Sequence, residues 1–148
     1  MTNRLVFFAP WRALCSDNRK FVRGYSLSKQ YRESKVAIGD YATRAASHAG
    51  WDCTTAYVGL SVIVTEPDRR VRDLNWSKNL KDGISLSASI WADDAQVRVE
   101  NWAFSSQPLD AEWAGAWVSI WLLNPEHYPP RTTTKLRKAR TRAIIALD

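Results

Sequence analysis

The chain has 148 residues, 45% apolar and 24% charged, with a formal net charge of +6 and a pI near 9.6. That length supports one domain with a real core and excludes two ordinary ones, and the composition excludes a disordered chain. The positive balance favours an anionic partner, nucleic acid ahead of an acidic membrane surface, with a merely soluble basic protein as the plain alternative.

Leu5–Phe8 reads as a short strand ended by Ala9-Pro10. Residues 11–25 are polar and irregular, with a basic cluster at Arg19, Lys20 and Arg23 and a turn at Gly24. Ser28 is a helix N-cap candidate. Leu27, Tyr31, Ile38, Ala42, Ala45 and Ala49 then mark one helical face, and Gly50 is the stop. Ala56–Thr65 is β-branched and apolar, with Val58, Leu60, Val62 and Val64 alternating onto one side; it reads as a central strand ended by Pro67. Leu74 to about Ile84 predicts a second, shorter helix with Trp76, Leu80 and Ile84 on its stripe, followed by a loop at SLSAS.

Gln96–Phe104 predicts a strand with Val97, Val99 and Asn101 on one face and Arg98, Glu100 and Trp102 on the other. Residues 105–112 turn, and Trp113–Leu123 forms the last strand. The order β-α-β-α-β-β implies an α+β fold: a single domain over residues 1–124, with two helices packed on a mixed sheet. Residues 125–148 form a basic C-terminal tail: a short helix docked on its Leu136, Ala139 and Ile144 side, a DNA-contacting arm, or a solvated extension.

Cys15 and Cys53 stand in unrelated contexts with no Cys/His cluster, so structural zinc is not expected. The first apolar run is too short for a signal peptide, and no stretch approaches the ~20 apolar residues of a membrane span. The expectation is a cytoplasmic protein with no membrane partner and no small-molecule cofactor. Eight tryptophans are spread along the chain; most are expected in the core or an interface, and one or two could stack on exposed bases.

The segment PDRRVRDLNWSKNLKDGISLSASIWADDAQV, from Pro67 to Val97, carries the chemistry. Arg69, Arg70 and Arg72 lead into Asp73; Lys78 and Asp82 follow on the second helix; Asp93-Asp94 precedes a strand. Mg²⁺ prefers one or two carboxylates, several waters and a substrate phosphate. Asp73 lies just beyond the central strand and the Asp93-Asp94 doublet just before its expected neighbour, so these groups can meet. Lys78 can hold a phosphate oxygen or stabilise developing charge. Taken singly, Asp73 is also a good helix cap, the doublet a polar turn and the arginines a solvated loop. Their order together points to a metal-dependent phosphodiester site.

This segment resembles the RusA family of Holliday-junction resolvases. PDRRVRDL, Asn75, Lys78, Asp82 and WADDAQV stand in the family's order, and Ser16–Arg19, Arg23 and Ser28 through Tyr31-Arg32 are similar to its N-terminal part. The likeness spans roughly residues 5 to 122 and leaves out the basic tail. It implies a homodimeric, Mg²⁺-dependent endonuclease, with Mn²⁺ as a substitute metal, that cuts four-way DNA junctions of phage or prophage recombination. Two sites in one dimer suit paired incisions. Asp73 and Asp94 would be metal ligands and catalytic groups, with Asp93 and Asn75 beside them, and Lys78 would be the catalytic lysine. Arg69, Arg70, Arg72, Arg19, Lys20, Arg23 and Lys29 would contact DNA.

The chain departs from the family at one point. It reads DLN where the family reads DLDN, so one carboxylate is missing beside Asn75. An amide oxygen can ligate a metal but brings no charge and no basicity. Three outcomes follow: an enzyme that recruits Asp93, Asp82 or Glu66, a weakened enzyme, or a junction binder that does not cut.

Overall fold

A computed structural model describes residues 3–15, 21–22, 26–68, 77–105 and 113–129. Within them the protein is α+β, two helices on a four-stranded mixed sheet. The strands of that sheet are β1 (Arg4–Pro10), β4 (Val58–Thr65), β5 (Val97–Phe104) and β6 (Gly115–Leu122). A separate two-stranded ladder pairs β2 (Phe21–Val22), in the stretch expected to be irregular, with β3 (Ser26–Leu27), which takes Leu27, expected on the helical face, ahead of the Ser28 cap. The helices are α1 (Lys29–Ala49) and α2 (Ser77–Leu86).

The sheet order is β1-β6-β4-β5. β6 pairs antiparallel with both β1 and β4, and β4 pairs parallel with β5. The apolar strand β4 is therefore internal, as its sequence implies. A parallel pair needs a long crossover, and α2 supplies it between β4 and β5. β1 lies on the sheet edge and runs through Pro10, two residues beyond its expected end; an edge strand tolerates a residue without N–H.

Local chemistry sets the helix limits. Ser28 Oγ accepts from the Tyr31 amide at 3.0 Å, and Gly50 closes α1 in the left-handed region at φ 69°. The buried face of α1 holds Tyr31, Ser34, Ile38, Gly39, Ala42 and Ala46. Ala46 continues the stripe, as 3.6-residue spacing from Ala42 requires; the expected Ala45 packs half-buried against the core, and the expected Ala49 is exposed. α2 runs two residues past Ile84, into the expected loop.

One face of the sheet takes both helices. Leu5 and Phe7, Leu60 and Val62, and Val118 and Ile120 meet Ile38, Ala42, Leu80 and Ile84 in a single core. α1 and α2 cross at glycines: a Cβ on Gly83 would stand 2.7 Å from Ile38 Cβ, and one on Gly39 3.0 Å from the Gly83 carbonyl. Only chains without side chains at these points can approach so closely.

β5 differs from its expected alternation. Val97 pairs with Val58 and Val99 with Gly59, so β5 advances two residues against one. This irregularity puts Val97 and Val99 on different faces. Glu100 and Trp102, opposite Leu60 and Val62, share the helix-covered face. Of the tryptophans, Trp51 and Trp91 are buried, Trp11 and Trp102 pack against the core, and Trp113 and Trp117 are exposed. None of the described helices is long and apolar enough to cross a membrane.

Candidate functional site

α2 places Lys78 and Asp82 four residues apart, which sets them on one side of the helix. Lys78 Nζ lies 3.3 Å from Asp82 Oδ1. The other oxygen, Oδ2, accepts a hydrogen bond from the Tyr31 hydroxyl at 3.0 Å. Tyr31 is fully buried in α1, so Asp82 is aimed by a rigid donor from the neighbouring helix.

The doublet Asp93-Asp94 lies in the lead-in to β5, opening a short 3₁₀ turn over Asp94–Gln96. Asp93 Oδ1 accepts from the Ala95 amide at 2.9 Å. Gln96 Oε1 accepts from the amides of Ala92 and Asp93, both at 2.8 Å, and completes a reciprocal cap. Gln96 Nε2 donates to the carbonyls of Thr54 and Ala56, each at 2.8 Å. One buried glutamine thus pins the acidic turn to the segment that leads into β4.

These pieces meet. Lys35, Lys78, Asp82, Ser85, Asp93 and Asp94 line one open groove of about 480 Å³, walled by Leu86 and Ala92. Asp94 is partly buried, and that burial pushes its carboxyl above the usual carboxylate value. A hydrogen bond with Asp93 and the negative charges of Asp93 and Asp82 act in the same direction, and the Lys78 ammonium opposes them. The groove is therefore a crowd of carboxylates with lysine at its rim.

The sequence matches no protein-family model and has no significant match among curated proteins. The site's chemistry must be argued from its own residues.

The donor set suits a hard cation in kind. Asp82, Asp93 and Asp94 offer carboxylate oxygens, and Mg²⁺ takes one or two of these with several waters. Among the described residues no three acidic, histidine or cysteine side chains are grouped closely enough to hold a metal between them. Asp73, Asn75 and the arginines Arg69, Arg70 and Arg72 lie outside the described residues, as do Arg19, Lys20, Arg23 and the tail from residue 130 onward. Lys29 is placed away from the groove. It pairs with Glu33 at 3.7 Å and lines a shallow depression with Arg32, Val36 and Asp40. Glu66 is not among the groove's lining residues.

Three contributors escaped sequence reasoning: Tyr31, Lys35 and Gln96. Tyr31 sits on the apolar stripe of α1 and reads as core, while only its hydroxyl reaches the site. Lys35 reads as solvated surface. Gln96 carried a usable signal, because Asp-x-x-Gln is the spacing of a reciprocal cap.

Proposed function

We propose that the protein is a metal-dependent endodeoxyribonuclease that resolves four-way DNA junctions, in the manner of the RusA family. The observation that carries this reading is the convergence of Lys78, Asp82, Asp93 and Asp94 in one groove. Two of these come from α2 and one pair of acids from the turn before β5, in the order the resemblance implies. The net charge of +6 supports a polyanionic substrate.

On this reading Asp94 and Asp93, with Asp73 of the segment before α2, would hold Mg²⁺. A bound divalent ion lowers the pKa of an attacking water and neutralises charge on the leaving oxygen. Asp82 keeps the Lys78 ammonium over the groove, where it can receive a phosphate oxygen. Tyr31 holds Asp82 in turn, and Gln96 fixes the acidic turn, so the constellation is presented by rigid elements. Paired incision of a junction calls for two such sites related by symmetry, hence a homodimer.

Cleavage of a synthetic four-way junction in Mg²⁺ tests this, with Asp94→Asn and Lys78→Ala as controls. Symmetric incision that each substitution lowers at least about 100-fold supports the proposal. A second reading, a binder of branched DNA that does not cut, draws on the missing DLDN carboxylate and on Asp93 being engaged as a cap. It predicts tight, salt-sensitive junction binding with no incision in Mg²⁺ or Mn²⁺.

A further inference from the structure

The first helix brings a second cation to the acidic groove. Lys35 stands four residues beyond Tyr31 on α1, so the two share one side of that helix. It is the side that meets α2: the Tyr31 hydroxyl reaches Asp82, and a Cβ on Gly83 would stand 3.2 Å from the Lys35 carbonyl. The Lys35 backbone is therefore fixed at the helix crossing. Its half-buried side chain lines the groove with Lys78, Asp82, Asp93 and Asp94.

The lysines differ in what holds them. Lys78 lies 3.3 Å from Asp82, Lys81 lies 3.1 Å from Glu100, and Lys29 lies 3.7 Å from Glu33. The Lys35 ammonium makes no hydrogen bond or ion pair among the described residues, although three carboxylates line the same groove. Lys78 is committed to aiming and being aimed; Lys35 is a cation at the site that no described acid engages.

We infer that Lys35 is a substrate-binding residue that takes a backbone phosphate of the DNA strand in the groove, next to the phosphate that Lys78 receives. The inference rests on the nuclease reading above and deepens it. A lysine suits the task, as a compact point charge on a four-carbon stem that follows a phosphate without demanding one orientation. Leu86, more than half exposed at 54%, walls the same groove and offers apolar surface to a sugar. Cations from two helices locked at their crossing would hold successive phosphates of one strand and so set its path past Asp93 and Asp94. A contact of this kind fixes register and carries no sequence information.

The test reads binding, not cleavage. Fluorescence anisotropy of the full chain on a labelled four-way junction, in EDTA so that no strand is cut, gives the affinity between about 50 and 200 mM salt. Lys35→Met keeps the apolar stem and removes the charge. It should weaken binding roughly five- to tenfold near 0.1 M salt and flatten the slope of log K against log salt by about 0.9, the value of one phosphate contact. The loss should be the same for junctions of different sequence. Lys35→Arg should restore both slope and affinity. Arg44→Met removes an equal charge from an exposed position of α1 outside the groove, and its slope should match wild type. Lys35→Gln is the second variant, should Lys35→Met lose its fold in thermal melts. A slope that loss of the Lys35 charge leaves unchanged overturns the inference while the nuclease reading stands. Equal flattening by Arg44→Met shows a diffuse charge effect and overturns it too. A wild-type chain with no affinity for the junction sinks the nuclease reading and this inference together.

Discussion

The hydroxyl of Tyr31 donates to Asp82 Oδ2 at 3.0 Å, joining the buried face of α1 to the acidic groove on α2. The bond links packing to chemistry: the ring is core, the hydroxyl aims a carboxylate that holds Lys78. Tyr31→Phe keeps the ring and removes the donor. It is expected to cost about 1.5–3 kcal/mol of stability, the range for a hydrogen bond to a charged acceptor. Urea denaturation measures that loss. If Asp82 aims Lys78, junction cleavage should fall more than junction binding; equal loss of both would contradict that role.

The crossing of α1 and α2 is equally local. A Cβ on Gly83 would meet Ile38 Cβ at 2.7 Å, Ile38 Cγ2 at 2.8 Å and the Lys35 carbonyl at 3.2 Å. Gly83→Ala gains about 1 kcal/mol of helix propensity but overpacks a rigid contact, at a cost of about 1–3 kcal/mol. The net effect should be a melting temperature lower by a few degrees. Gly50→Ala, with nothing within 4 Å, should be destabilised through its positive φ instead. Calorimetry of the two variants separates overpacking from backbone strain.

Periodicity carried much of this architecture. The alternation of β4, the Ser28 cap and the Gly50 stop were all visible, because each depends on residues adjacent in the chain. The β5 irregularity was not, since a two-against-one pairing at Val58/Gly59 is a property of two strands together. The site shows the same division. Asp82, Asp93, Asp94 and Lys78 stood out as charged residues in an ordered motif. Tyr31 did not, because its partner lies 51 residues away in sequence. For Gln96 only the local cap was legible, not its bonds to Thr54 and Ala56, 42 and 40 residues away.

Gln96 makes four side-chain hydrogen bonds while fully buried. Gln96→Leu would leave two carbonyls and two amides without this partner, and each unsatisfied buried group costs about 1–3 kcal/mol. A loss of several kcal/mol is expected in urea denaturation. Hydrogen exchange should quicken first at Ala92 and Asp93, whose amides Gln96 receives. Slow exchange there in the variant would show that the turn holds without the glutamine.

Glu100 gives a pH signature. Burial alone would raise its carboxyl, but hydrogen bonds from Trp102, Lys81 and Ser77, with the Lys81 charge, outweigh burial and hold it below its ordinary value of 4.5. Lys81 Nζ stands 3.1 Å from Oε2, while Oε1 accepts from Ser77 and Trp102. A lowered folded-state value means the folded state binds the proton less readily than the unfolded chain. The stabilisation is present above 4.5 and is lost as pH falls through the lowered value. Glu100→Gln should therefore melt below wild type at neutral pH. The gap should close as the solution is acidified, and a gap independent of pH would refute the assignment.

Asp94 has the opposite sign. Burial first, then the hydrogen bond with Asp93 and the neighbouring negative charges, raise its carboxyl above 3.8. The folded state then binds the proton more readily than the unfolded chain. Stability from this group is present below 3.8 and is lost as pH rises through the raised value, so the ionised Asp94 is a cost at neutral pH. Asp94→Asn removes that cost and should fold as stably as wild type or more so, in the absence of divalent ions, while losing cleavage. Added Mg²⁺ should raise the melting temperature of wild type and leave the variant unmoved, since binding to the folded state alone stabilises it. Were Asp94 instead a structural cap, the variant would melt lower at neutral pH, and Mg²⁺ would not separate the two proteins.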